Sequence, residues 1–387
     1  MMTQSEASFN KLLAYCRAQQ WRGYDPYDGL NSRLFQLFPI KSKHLRIAWI
    51  QALKRFPINL RPVFLVEKGY NAKGLALFLR ALLLGHKVLH PIPPQEVLND
   101  IAFLLEELDR LCLGRYSGAA WGYNFDWQSR AFFVPRNTPS IVCTSFVANA
   151  LLDAYEVLGN EKYLMVARSA CDFILTDLNR TEDGDSICFS YTPLDRTQVH
   201  NANLLGAALL ARVYSKTGEA VLRDYAIQAA RFSIKHQRQD GSWLYGTLPF
   251  HNWIDNFHTG FNLVSLDAIM KHCGEPRWQE NLSAGFRFYC DNFFLDGGVP
   301  KYYHNSCLPV DIHSCAQAII TLTVLRHLDR RAQQLAAACA SWTIDYMQDE
   351  EGFFYFQKHR FYTNKIAYIR WAQAWMLYAL AIFNYHS

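Results

Sequence analysis

The chain has 387 residues, half of them hydrophobic, so it can bury a large core. Aromatics make up 15%, with ten Trp and twenty-one Tyr, more than packing requires and suited to stacking on a sugar or another ring-bearing ligand. The net charge of +5, from 39 basic and 34 acidic residues, is too mild and too dispersed for a nucleic-acid-binding protein.

Residues 1–6 show no basic stretch followed by an apolar one, so no signal peptide is expected. A helix is expected over 9–19. A turn-rich segment follows over 22–32, punctuated by Pro26 and Gly29, where Asp and Asn side chains can bond their own backbone. Further helical patterns lie at 45–55, 73–85 and 95–112, with Gly85, Pro91, Pro93 and Pro94 marking the loop before the last. Lys41, Lys43, His44, Arg46, Lys54 and Arg55 read as a solvated helix face, with a membrane-surface or polyanion contact as the secondary reading. The apolar stretch 75–84 is interrupted by Arg80 and too short to span a bilayer. The ten cysteines lack paired spacing, and Cys171, Cys290 and Cys339 lie in apolar helical context, which suits reduced thiols in a cytoplasmic protein.

From residue 114 onward the chain repeats about every 56 residues. Gly122, Gly184, Gly241, Gly297 and Gly352 follow one another at spacings of 55 to 62, four of them in short matching segments such as Gln239-Asp240-Gly241-Ser242 and Glu350-Glu351-Gly352-Phe353. Each is followed by a polar and aromatic stretch and two helical runs. The pairs are 141–158 with 161–178, 200–215 with 220–236, 258–272 with 277–292, and 311–328 with 331–347; 366–385 closes the chain. A fixed period of this length marks one supersecondary unit used several times. With the region 1–113 completing the ring and 114–387 carrying the repeated hairpins, about six helix pairs result. That number predicts an all-α fold, an (α/α)6 toroid with the helix after each loop on the inside. The alternative is an open solenoid, disfavoured because 366–385 is too apolar for a polar cap.

The repeat also serves as a ruler. His200, His258, His313 and Tyr368 lie sixteen or seventeen residues beyond their glycines, at the starts of inner helices, and should ring one funnel. Asp255 and Asp311 lie just before two of them and Arg370 just after the last. Asn203, Asn262, Gln317 and Gln373, one turn deeper, are polar positions on apolar helices. Three histidines in register with carboxylates suit proton-transfer chemistry. Two loops add to this. Trp121, Tyr123, Asp126, Trp127 and Arg130 have the make-up of a saccharide subsite, and Trp253, Asp255 and His258 repeat the combination, with Trp243 as a further stacking ring. Asp126 and Asp255 are the best carboxylate pair for glycoside hydrolysis. His304, Cys307, Asp311 and His313 raise the question of zinc, but the spacing matches no standard signature. No cofactor is expected, and Asp311 and His313 are read as funnel residues.

The period and the Asp-Gly-x-Trp/Phe entry loops resemble the six-hairpin glycosidase-like superfamily over residues 114–387. Its members include unsaturated glucuronyl hydrolases, sugar 2-epimerases and uronate lyases. Gln237-Arg238-Gln239-Asp240-Gly241-Ser242-Trp243 is also similar to the repeat of terpene cyclases and prenyltransferases, but their Asp-x-Asp-Asp acid motif is missing. The resemblance implies a carbohydrate-active enzyme on a glycan or uronic-acid-containing saccharide. Hydrolysis would use Asp126 and Asp255. Epimerisation or elimination would use His258, His313, His304 or Tyr368 as base, with Arg130 or Arg370 holding the acid group. An isoprenoid cyclase, against which the polar inner-helix residues argue, and a non-catalytic glycan-binding protein are the alternatives. The expected partner is a saccharide or other small molecule, with no transmembrane segment.

Overall fold

The computed structural model describes residues 2–37, 41–89, 94–130 and 132–386, so Pro91 and Pro93 of the expected loop lie outside the described residues. The six inner helices are α4 (Ala72–Leu89), α6 (Ile141–Leu158), α8 (His200–Thr217), α10 (Asn256–Cys273), α12 (Ile312–Val324) and α14 (Trp375–His386). Each packs on the next, and α14 returns to α4, so the ring is closed. Around it stand α5 (Gln95–Arg110), α7 (Glu161–Asp172), α9 (Ala220–Lys235), α11 (Gln279–Asn292) and α13 (Ala332–Met347), each packed on the inner helix that precedes it. The sixth outer helix is α1 (Gln4–Ala18), which packs on α14. The last hairpin thus joins the two ends of the chain. This is the (α/α)6 toroid that the period implies, and the solenoid alternative is set aside.

Inner helices must be apolar nearly all round, because they touch two inner neighbours and one outer one. α6 shows the consequence. It is long and apolar enough to cross a bilayer, yet 67% of it is buried, as an inner ring helix should be. The repeated glycines have an equally local cause. Gly241 and Gly352 adopt φ of +87° and +96°, the left-handed region that favours glycine. A Cβ at Gly241 would sit 2.5 Å from the carbonyl of Ala284 in α11, and one at Gly352 equally close to that of Lys11 in α1. Each glycine therefore marks where a loop presses on the next outer helix. Gln237 and Gln348, four residues earlier, staple the same contact: each amide donates to its own glycine's carbonyl and to a carbonyl of the next outer helix, Asn281 or Ser8. The second of these unions holds the N- and C-terminal parts of the chain together.

The loops before the inner helices build one face of the ring. They include the hairpins β1 (Trp127–Gln128) with β2 (Phe133–Val134) and β3 (Arg180–Asp183) with β4 (Ser186–Phe189). A small sheet joins β5 (Val310–Asp311), β6 (Gln357–Lys358) and β7 (Thr363–Asn364) in that order. The short helix α2 (Arg33–Leu37) and α3 (Lys43–Arg55) lie on the same face, with Phe35, Trp49 and Phe64 as the small core that joins them to the loop at 56–65. All ten cysteines are free thiols, eight of them buried.

Candidate active site

A cavity of about 750 Å³ opens on this face. Of the residues singled out in the sequence, Tyr123, Trp127, Arg130, Trp253, Asp255, His258, His313 and Arg370 line it.

His258 sits in the first turn of α10, and Asp255 caps that helix. One carboxylate oxygen accepts the His258 backbone N–H at 2.9 Å; the other lies 2.7 Å from His258 Nδ1 and accepts the Trp253 indole N–H at 2.9 Å. Asp255 is 3% exposed. Its carboxylate selects the tautomer with the proton on Nδ1, leaving Nε2 as the free acceptor. Trp253 itself stacks on Tyr245 at 4.4 Å between ring centroids.

His313 is built differently. Asp311 caps α12 and accepts the His313 backbone N–H, but the imidazole stacks on Phe257 at 4.5 Å and abuts Trp371 and Trp375 at 4.5 and 4.6 Å. Both ring nitrogens are buried without a partner. Burial, with the cations of Lys73 and Arg370 nearby, holds the ring well below the usual histidine range. It is therefore a neutral imidazole with one donor and one acceptor unspent, which costs about 1–3 kcal/mol for each unsatisfied group.

Arg370 comes from a π-helical stretch, Ile369–Ala374, at the start of the last inner helix. Such wide turns redirect side chains and gather at functional sites. Its guanidinium makes two bonds to Asp25, Nε to Oδ2 at 2.5 Å and Nη2 to Oδ1 at 2.8 Å, and stands over the Tyr123 and Trp371 rings. Asp25 belongs to the segment 22–32, expected to be a turn. It is a turn, but a buried one with a purpose: Asp28 holds the fully buried Arg61 at 2.6 Å, and Arg61 in turn donates to the Asp25 carbonyl and the Tyr368 hydroxyl. Removing Asp25 would leave Arg370 charged and unpaired in the interior. Asp25→Ala is expected to lower the stability by about 3–5 kcal/mol in urea unfolding, and adding Arg370→Met should recover part of that loss. A change below ~1 kcal/mol, the size of a surface pair, would show that Asp25 does not anchor the arginine.

Sequence reasoning missed Lys73. It is the second residue of α4, 3% exposed, and lines the cavity. Its ammonium nitrogen stands 4.3 Å from the Phe146 ring centroid, 5.1 Å from Trp375 and 5.3 Å from Phe261. It makes no hydrogen bond or ion pair with the described residues. Burial, and after it the charge of Arg370, pushes Lys73 down to about 7. A lone lysine at the start of a strongly apolar helix was the available signal. Phe261 is the common neighbour of three titratable side chains, 5.3 Å from Lys73, 5.9 Å from His313 and 6.1 Å from His258.

Seven expected site residues do not line the cavity. Asp126 accepts the Arg136 backbone N–H and is not among the residues that line the cavity with Asp255. Asp311 is fully buried, its oxygens taken by Gln357, Trp371 and the His313 backbone. Trp121 and Trp243 are core residues whose indoles donate to the carbonyls of Leu108 and Ser233, at the ends of the preceding outer helices. Tyr368 holds Arg61. His200 is buried between inner and outer helices against Phe232 and His236, and burial pushes it down to about 3. His304 turns to the Ile254 carbonyl. Cys307 is exposed, and among the described residues no three His, Cys, Asp or Glu side chains gather as metal ligands. The polar inner-helix residues also fail to face the cavity. Asn203 and Gln373 each bond both ways to loop or outer-helix backbone, through Phe189 and Ala229 or through Phe354. Gln317 donates to Thr321, and Asn262 is buried outside the lining.

The fold is shared with solved carbohydrate enzymes. A cellobiose 2-epimerase from Bacillus thermoamylovorans B4167 superposes with a TM-score of 0.66 at 13% identity, over 82% of this chain and 87% of that one. A GH76 α-mannanase from Bacteroides thetaiotaomicron gives 0.59 at 15%, over 81% and 86%. An unsaturated glucuronyl hydrolase specific for heparin gives 0.60 at 13%, over 80% and 85%. These are six-hairpin glycosidase-like toroids, and the chain has their architecture. No protein-family model matches the chain, and no curated protein matches it in sequence.

Proposed function

We propose that this chain is a carbohydrate-active enzyme that epimerises an acidic saccharide, or eliminates from it, by removing the proton next to its carboxyl group. One observation carries this reading: among the described residues lining the cavity there are five Lys or Arg side chains and a single carboxylate, Asp255, which is committed to His258. Hydrolysis by a carboxylate pair lacks its second member. An isoprenoid cyclase gains from the correction of the polar inner-helix positions, since the cavity is largely aromatic. The same five cations oppose it, because they would repel a carbocation.

In the proposed reaction the substrate carboxylate lies against Arg370, through the guanidinium N–H groups that Asp25 does not take. Nε2 of His258 takes the C5 proton. The negative charge that develops on the carboxylate oxygens is met by Arg370 in a water-poor, aromatic-walled site. Lys73, titrating near neutrality, returns a proton to C5 from its own side, and solvent restores both groups. When a C4 oxygen substituent leaves instead, taking the proton of Lys73, the C5 electron pair forms a C4=C5 double bond and the result is elimination. Tyr245, Trp253 and Trp127 supply faces for the sugar rings.

Incubation with uronate-containing oligosaccharides in deuterated water is the test. Deuterium at C5 of recovered or epimerised substrate is expected, or, for elimination, a product with a C4=C5 double bond. New reducing ends with neither deuterium nor a double bond would replace this reading by hydrolysis, and no change across a broad panel would remove it.

A further inference from the structure

The stretch from Arg33 to Val66 contains seven Lys or Arg residues and no Asp or Glu. It is also the segment that supplies one wall of the cavity, through Ile47, Gln51, Lys54 and Arg55. Its outward surface is unusually apolar. Leu37, Ile58 and Val63 are 70%, 66% and 67% exposed, and Leu34, Leu45 and Leu65 are exposed as well. The exposed residues of α3 are Lys43, His44, Leu45, Ala48, Ala52 and Arg55, so basic and apolar side chains share its outer face. Of the cations, Lys41, Lys43 and Arg55 are exposed and form no ion pair among the described residues.

The apolar surface continues across the mouth. Asn364 of β7 donates to the Phe56 carbonyl, which ties this segment to the β6–β7 hairpin. At the tip of that hairpin Phe361 is 88% exposed beside Arg360, while Tyr362 reaches into the cavity. Isolated exposed apolar residues need no explanation, but many of them on one segment, mixed with unpaired cations and with the exposed Glu67 at its edge paired to Arg33, mark an interaction surface.

We propose that the mouth face of the toroid docks on an anionic lipid bilayer, with Lys41, Lys43 and Arg55 against the headgroups and Leu37, Val63 and Phe361 entering the interface. Charge selects the partner: basic residues interspersed with bulky apolar ones suit an interfacial membrane contact, whereas a polyanionic glycan would engage the cations alone. Docking does not depend on the reaction proposed for the cavity.

Co-sedimentation of the full chain with phosphatidylcholine vesicles, with and without a third of phosphatidylglycerol, tests it. Binding is expected to the anionic vesicles and to be weak to the neutral ones. Lys41→Gln with Lys43→Gln is expected to weaken it about 25-fold, about fivefold for each cation removed. Leu37→Ser with Val63→Ser should weaken it without changing its salt dependence. All four side chains are exposed, so the variants should melt like the wild type. Equal partition of the wild type into both vesicle types overturns the proposal. So does binding to soluble heparin with no binding to vesicles, which would identify a polyanion site instead.

Discussion

His258→Asn is expected to lower turnover on a uronate substrate by about 10²–10⁴, the usual contribution of a positioned general base, with little change in stability. The ring is in the first turn of α10 and its side chain is 24% exposed, so its removal opens no deep cavity. Asparagine keeps a side chain able to reach Asp255 but has no basic nitrogen for the substrate. The Asp255→Asn variant is the informative partner. It replaces the acceptor that orients Nδ1, and the ring can then present the wrong tautomer. Groups that act as a unit lose activity non-additively, so the double variant should be scarcely slower than the worse single one. Deuterium exchange at C5 should fall with turnover in all three. If His258→Asn keeps the exchange rate, the base is elsewhere, and His313 is the next imidazole to test.

The ring was readable because the features that specify it are local and repeated. Glycines with positive φ recur at Gly184, Gly241, Gly297 and Gly352, and at Gly241 and Gly352 a glutamine four residues earlier completes the contact with the next outer helix, so these features appear in the sequence as a period. The site was readable only in part, because equivalent positions in the repeat share a backbone location but not a direction. His258 and His313 begin α10 and α12 and reach the cavity; His200 begins α8 and turns outward to His236. Tyr368 precedes a π-helical stretch, which shifts the register so that Arg370 and Trp371 face inward in its place. Aromatic content was a poor guide for a related reason. Trp121 and Trp243 stand in the loops most like a sugar subsite, but their indoles are needed to close helix ends. The groups missed altogether are held by contacts remote in sequence. Asp25 acquires its role from Arg370, 345 residues away, and Lys73 acquires its environment from Phe146, Phe261 and Trp375 on three other inner-helix segments.

Lys73→Met should make the protein more stable and less active at once. The unfolded lysine titrates near 10.4, and in the folded chain Lys73 is pushed down to about 7. Between these values the unfolded state binds the extra proton, so wild-type stability rises with pH through that window. Below about pH 7 both states are charged and folding bears the whole penalty. The facing rings of Phe146, Phe261 and Trp375 return some of it through cation–π attraction. Methionine matches the stem in volume and suits an aromatic cage, so its gain at pH 7 is expected to be on the order of 3 kcal/mol. That gain should be largest at and below neutral pH and should vanish toward pH 10, as urea unfolding at several pH values will show. A buried amine without an ion-pair partner among the described residues weakens the fold, and the proton donation proposed for it at the cavity would be the reason to keep it. A variant that is stabilised yet turns over normally would remove Lys73 from the reaction. One that is destabilised at neutral pH would mean that the ammonium is well paired in the folded state, and both the cage and the acid role assigned to it would fall together.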